Sequence, residues 1–370
     1  MALQRPPSPR CVATVPSDDV ASAYGKKNGR ASFPSSSIAA VLYCAAIMPV
    51  TPDTELSLSF ENQRAVVSPW GASLRWYVLI NDAHETDIVW GYSGGSGKRG
   101  GQGDVLIPFP GRIRDGRYTF DGRSLQLECN DKEGPNAIHG FVRSLPWHVQ
   151  ETHSHKVTFE IRLDADTYAE RGYPFSLAIW VTYDLGASGL TCTFTVKNIG
   201  RQTAPVGVGF HPYFTVGTSL IDEAEVQIPG TAYLEFNERL VPTGAILNVV
   251  GTSWDYRRFR EIGRRRFNHC YVRLERDEQG MATASLRRTA SGRAIDVTMD
   301  PSFSAVVVYT GDAIADTPRA ALAIEPMTCA SDAFNHPDWG LKQLAPGEIF
   351  AGRYNVRHRD SSVIRAQSTS

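Results

Sequence analysis

From Glu55 onward, apolar and polar residues alternate in short segments. Leu56-Ser57-Leu58-Ser59-Phe60, Val157 to Leu163 and Leu190 to Val196 each repeat with period two, the spacing of a strand with one buried and one wet face. Phe303 to Tyr309 is instead a β-branched apolar run and predicts a fully buried strand. Turn signals separate the segments at Asp115-Gly116, Asp121-Gly122, Pro229-Gly230, Thr243-Gly244 and Pro346-Gly347. Long helical periodicity, internal repeats and a linker are all missing between Glu55 and Arg357. The pattern predicts an all-β fold, one large antiparallel β-sandwich over residues 55–357, with a polar tail over 358–370.

The first 54 residues have another character. They are rich in Ser, Ala and Pro, and their apolar stretch, Ile38 to Met48, follows a long polar lead. A secretory signal would carry that stretch near its start. Composition predicts a disordered or poorly packed extension over 1–54. A transit segment, a disordered tail and a stretch preceding a natural start at Met48 remain as readings.

Charge and cysteine content narrow the function classes. With 38 basic and 39 acidic residues among 370, the formal net charge is -1, which leaves no field to attract nucleic acid or an anionic membrane. No apolar run reaches the roughly 18 residues that a membrane helix needs. The six cysteines are scattered, without a CxxC pair or a zinc spacing, and read as reduced thiols of a cytoplasmic protein. Gly91 to Arg99 looks like a phosphate loop but fails on spacing, with Arg99 where a magnesium-binding hydroxyl should stand; it reads as a flexible surface loop. Arg264-Arg265-Arg266 reads as a solvated turn.

Four clusters set titratable residues among glycine, proline and aromatics: Phe109 to Gly116, Asn136 to Phe141, Gly209 to Phe214 and Ala323 to Thr328. Glu325 interrupts a buried apolar run, where an ionised carboxylate is costly unless paired; a salt bridge to an arginine at a strand end is the plain explanation for it. His211 stands between the small apolar run Val206 to Phe210 and Pro212, which ends strand pairing. His139 precedes Gly140, which lets a ligand approach the backbone. Together they supply a base, an acid and an orienting donor, the minimum for moving protons on a sugar.

In order and spacing, Gly111-Arg112-Ile113, Asn136 to Gly140, His211-Pro212-Tyr213-Phe214, Pro242-Thr243-Gly244, Trp254 to Arg257, Ile324-Glu325-Pro326 and Asp332 to Asn335 resemble the aldose 1-epimerase (galactose mutarotase) family over roughly Glu55 to Arg357. The resemblance implies a large β-sandwich that binds a free aldose in an open cleft without metal or cofactor, as a monomer or homodimer. It makes Glu325 the catalytic base, His211 the catalytic acid, and Arg112 and His139 substrate-binding residues. Two positions depart from the family pattern. Asn268 stands where an Asp commonly holds sugar hydroxyls, with His269 beside it either compensating or irrelevant, and Gly111 stands where an Asn often precedes the Arg. Two alternatives stay open. A hexose-6-phosphate 1-epimerase would need Arg112, Arg114 and Arg143 to converge on a phosphate. A sugar-binding protein without turnover would have no need of an acid–base pair.

Overall fold

The computed structural model describes residues 50–81 and 84–360. The readings of the extension up to residue 49 and of the tail from residue 361 fall outside them. Two large antiparallel sheets build the body, one of 12 strands and one of 9. The period-two segments land where alternation puts them. Leu56–Phe60 edges the larger sheet, while Lys156–Leu163 and Gly189–Asn198 lie in the smaller. In Gly189–Asn198 every second residue is buried, as a pleated strand with one covered face requires.

The main core lies between the sheets. Phe194, on the smaller sheet, packs on Phe210, Phe303 and Phe350 at ring-centroid distances of 6.3, 5.7 and 5.1 Å. Val306, Val308 and Ile324 of the larger sheet join this core, whereas Ala305, Val307, Cys270 and Met327 form a second apolar cluster on the sheet's other face. Ala305–Tyr309 is thus covered on both sides, which explains its continuous apolar run. The same alternation decides the fate of Glu325. In Leu322–Met327, Ile324 faces the main core, so Glu325 points the opposite way.

One expectation changes. Thr243-Gly244 is not a turn but lies inside the edge strand Pro242–Asn248; an edge strand beside a bulge tolerates Gly244 at φ 103°. The Asp53 carboxylate accepts the Gly95 N–H at 2.7 Å, and strand Ile349–Asp360 stays paired with Arg293–Met299 through Asp360. Among the described residues no helix is long and apolar enough to cross a membrane.

Replacing Phe194 with Ala should remove about 3–5 kcal/mol of stability by opening a cavity between the sheets. Urea unfolding would show this as a lower midpoint with an unchanged slope.

Candidate active site

Three structural devices bring the titratable residues together. The first is the centre of the larger sheet, where Leu322–Met327 pairs with Tyr213–Phe214 and with Gly209–Phe210. His211-Pro212 lies between those two short pairings. Pro212 has no N–H for a ladder, so the chain bends there and His211 turns onto the face that carries Glu325. His211 Nε2 stands 3.4 Å from Glu325 Oε1, and both side chains are buried.

The second device is a ribbon, Arg112–Ile113 paired with Ala137–Ile138. It sets Gly111 against His139, whose N–H donates to the Gly111 carbonyl at 3.0 Å. The Gly111 N–H in turn donates to His139 Nδ1 at 3.2 Å. An Nδ1 that accepts leaves Nε2 as the protonated nitrogen of the neutral ring. His139 packs edge-on to His211 at 5.6 Å. The departure at Gly111 has a steric cause: its φ is +68°, and a Cβ there would sit 2.2 Å from Ser331 Oγ. Arg112 donates from Nε to Asp131 at 2.8 Å and from Nη2 to Glu133 at 3.2 Å. It lies close enough to Glu325 to favour the ionised carboxylate.

The third device is the segment Gly100 to Gly103, which follows the surface loop read at Gly91 to Arg99. A Cβ on Gly101 would lie 3.2 Å from His211 Cδ2. The Gly100 carbonyl accepts the Tyr213 hydroxyl at 2.7 Å, and the Tyr213 ring stacks on His211 at 5.1 Å. Lys98 reaches back to pair with Asp104, which also binds Arg143.

Glu325 has no arginine partner, so the strand-end salt bridge is corrected to a mid-strand carboxylate facing an imidazole. Its Oε2 and the Nδ1 of His211 are buried without a hydrogen-bond partner. Burial drives the Glu325 pKa well above the usual carboxylate range. Burial, with help from the nearby Arg143 and Lys98 charges, pushes His211 down to about 3. Desolvation also holds His139 well below the usual imidazole value. Burial thus disfavours the charged form of both groups.

Asn268 pairs with Tyr309, two residues along from Cys270, whose row runs through Val307 to Glu325. It therefore lies on the Glu325 face, one row away. His269 points to the other face, among the rings of Trp254, Tyr233 and Phe267, and cannot substitute for a carboxylate at the site. Each of the three arginines required for a phosphate already has a partner of its own. Arg112 is held by Asp131 and Glu133, Arg143 by Asp104, and Arg114 by the Pro242 carbonyl.

Sequence reasoning missed Asp104, Asp131 and Asp332. Asp332 accepts the Arg114 N–H at 3.0 Å and donates its own N–H to the Arg112 carbonyl at 2.7 Å. It lay in a quoted motif without a role; the other two gave no local signal.

The pair has a signature in stability. Between pH 6.5 and about 3 the unfolded chain protonates His211 while the native one resists, so the unfolded state binds more protons and stability falls as pH drops. His211→Asn should lose less stability than the parent on acidification through that window. Glu325 works in the opposite sense: the native carboxyl keeps its proton, so ionising it costs more as pH rises. Glu325→Gln should therefore gain in melting temperature over the parent as pH is raised. Thermal melts of both variants across pH check the two signs.

Comparison with known proteins follows the same lines. The aldose 1-epimerase family model matches residues 55–357. Rat galactose mutarotase is 31% identical over 309 residues, covering 76% of this chain and 86% of the relative. The Escherichia coli protein YihR is 33% identical over 234 residues, 63% of this chain and 71% of its own. Among solved structures, an aldose epimerase homologue from Caenorhabditis elegans superposes with a TM-score of 0.74 at 19% identity, over 83% of this chain and 99% of that one. The sandwich and the sequence match agree: the chain belongs to the aldose 1-epimerase family and is an isomerase.

Proposed function

We propose that this protein interconverts the α and β anomers of a free aldohexose, with Glu325 and His211 as its acid–base pair. The observation that carries the reading is the 3.4 Å separation of Glu325 Oε1 and His211 Nε2. In a hemiacetal the hydroxyl and the ring oxygen share one carbon. An acid and a base acting on both must therefore stand side by side, within one small molecule's reach.

Glu325 accepts the proton of the anomeric hydroxyl while His211, as imidazolium, gives one to the ring oxygen. The C1–ring-oxygen bond breaks, the C1–C2 bond of the aldehyde rotates, and reclosure from the other face delivers the second anomer with the two roles exchanged. The two forms of the pair, carboxyl with imidazole and carboxylate with imidazolium, carry the same net charge, so passing between them needs no proton from solvent. The buried Oε2 without a partner is an acceptor to which a sugar hydroxyl can donate, and that bond favours the ionised carboxylate. His139 Nε2–H and Arg112 supply orienting donors at the same wall, and Asn268 supplies an amide from the next row. Acid and base each contribute on the order of 10²–10⁴-fold, so positioning carries the remainder.

The proposal extends to setting. The substrate is a neutral sugar, and the four described cysteines, Cys129, Cys192, Cys270 and Cys329, are free thiols, which supports a cytoplasmic protein. Among the described residues no group of three or more His, Cys, Asp or Glu could hold a metal ion.

Polarimetry of freshly dissolved α-D-glucose and α-D-galactose tests the assignment. Glu325→Gln should fold and lose activity by at least about 100-fold, and His211→Asn should lose one limb of the pH–rate profile. A well-folded Glu325→Gln protein with parental rates would refute the role of the base. Exhaustive chelation should leave the rate unchanged. Asn268→Asp should change KM more than kcat, because a contact made equally in ground and transition states affects binding alone; parental KM in both Asn268→Asp and Asn268→Ala would place the residue outside the site.

A further inference from the structure

Behind His211 lies a charged cluster that acid–base chemistry on a hemiacetal does not itself require. Asp104 is 2% exposed and lies next to the short strand Val105–Leu106. Its carboxylate binds Lys98 and Arg143, the latter at 3.3 Å. Its carbonyl accepts the His211 N–H at 3.0 Å, and the His211 carbonyl accepts the Gly103 N–H at 3.0 Å. The main chains of Gly103 and Asp104 thus tie down the backbone of the acid, and the Asp104 carboxylate, through Lys98, holds the start of the loop that lies beside its ring. Gly100 and Gly101, at φ +51° and +76°, adopt conformations disfavoured for L side chains.

We propose that Asp104 is a positioning residue for the general acid, clamping the segment Lys98 to Gly103 against His211 and setting the charge around the acid–base pair. The inference rests on the acid role proposed for His211. The imidazole lies between the Tyr213 ring and Gly101, so its position depends on Tyr213, which the Gly100 carbonyl holds through its hydroxyl, and on the loop. Two cations share one carboxylate, which leaves a net positive charge beside the ring.

The electrostatic neighbourhood fixes the signs. Lys98, Arg143 and His139 act on the imidazole side. Arg112, Asp104, Tyr213, Tyr309 and Cys270 act on the Glu325 side. Removing the Asp104 charge takes away an anion that raises Glu325, so the titration of the pair moves to lower pH. Removing the Lys98 charge takes away a cation that lowers His211, so it moves to higher pH. A cluster outside electrostatic reach of the pair would move neither.

The test is the pH–rate profile of mutarotation for Asp104→Asn, Lys98→Met and Arg143→Met, each with a thermal melt. Asp104→Asn should lower kcat about tenfold or more, part of the roughly 10²–10⁴-fold a general acid contributes, with little change in KM. Its profile should shift to lower pH, while Lys98→Met and Arg143→Met shift theirs upward. Should Asp104→Asn fail to fold, the two cation variants decide the matter through the sign of their shift. Profiles that stay in place while melting temperatures fall, or that all shift the same way, would overturn the clamp and leave a structural cluster. A parent protein inactive on every aldose would instead overturn the proposed function.

Discussion

A carboxyl group buried on a strand is the constraint around which the site is organised. Glu325 sits on the sheet face opposite the main core, inside an otherwise apolar strand, with an imidazole and no arginine as its polar neighbour. Ionised alone, it would cost several kcal/mol. The fold accommodates it by disfavouring its charged form and by setting His211 beside it, where a proton can pass between them. An arginine salt bridge would have stabilised the carboxylate and removed its use as a base. Burial raises one group and lowers the other, so the pair exchanges a proton at constant net charge.

Everything else at the site fixes geometry around that pair. The ribbon of Arg112–Ile113 and Ala137–Ile138 delivers His139 with its tautomer set by the Gly111 N–H. Gly111 is required by packing, because Ser331 occupies the space of a side chain. The charged residues around the wall are satisfied by one another: Arg112 by Asp131 and Glu133, Arg143 and Lys98 by Asp104. Guanidinium groups already paired with carboxylates suit a neutral, hydroxyl-rich ligand better than a phosphate dianion, whose recognition needs unpaired donors.

How much was legible in the sequence depended on the range of the physics. Period-two alternation is local, so the strands around Leu56, Phe159 and Phe194 could be read directly, and the apolar run ending at Tyr309 foretold a strand covered on both faces. Thr243-Gly244 misled because a glycine in an edge strand looks like a turn when its partner strand is unknown. Gly91 to Arg99 has the composition of a free loop, and all of it but Tyr92 is at least partly exposed, but the ion pair from Lys98 to Asp104 could not be read there, because no local pattern shows the burial of Asp104.

Sequence by itself determined the fold class and the family, and it picked out Glu325, His211, His139 and Arg112 as candidates, because those follow from pleat periodicity and from motifs in a fixed order. Tertiary structure decided the rest. Which face of the sheet Glu325 takes depends on the register of Leu322–Met327 with its neighbours. The separation of Asn268 from His269 depends on the alternation of one strand between two environments. The protonation of the pair depends on how much water the surrounding residues exclude. Register, facing and desolvation are properties of segments far apart in the chain, and no single segment carries them.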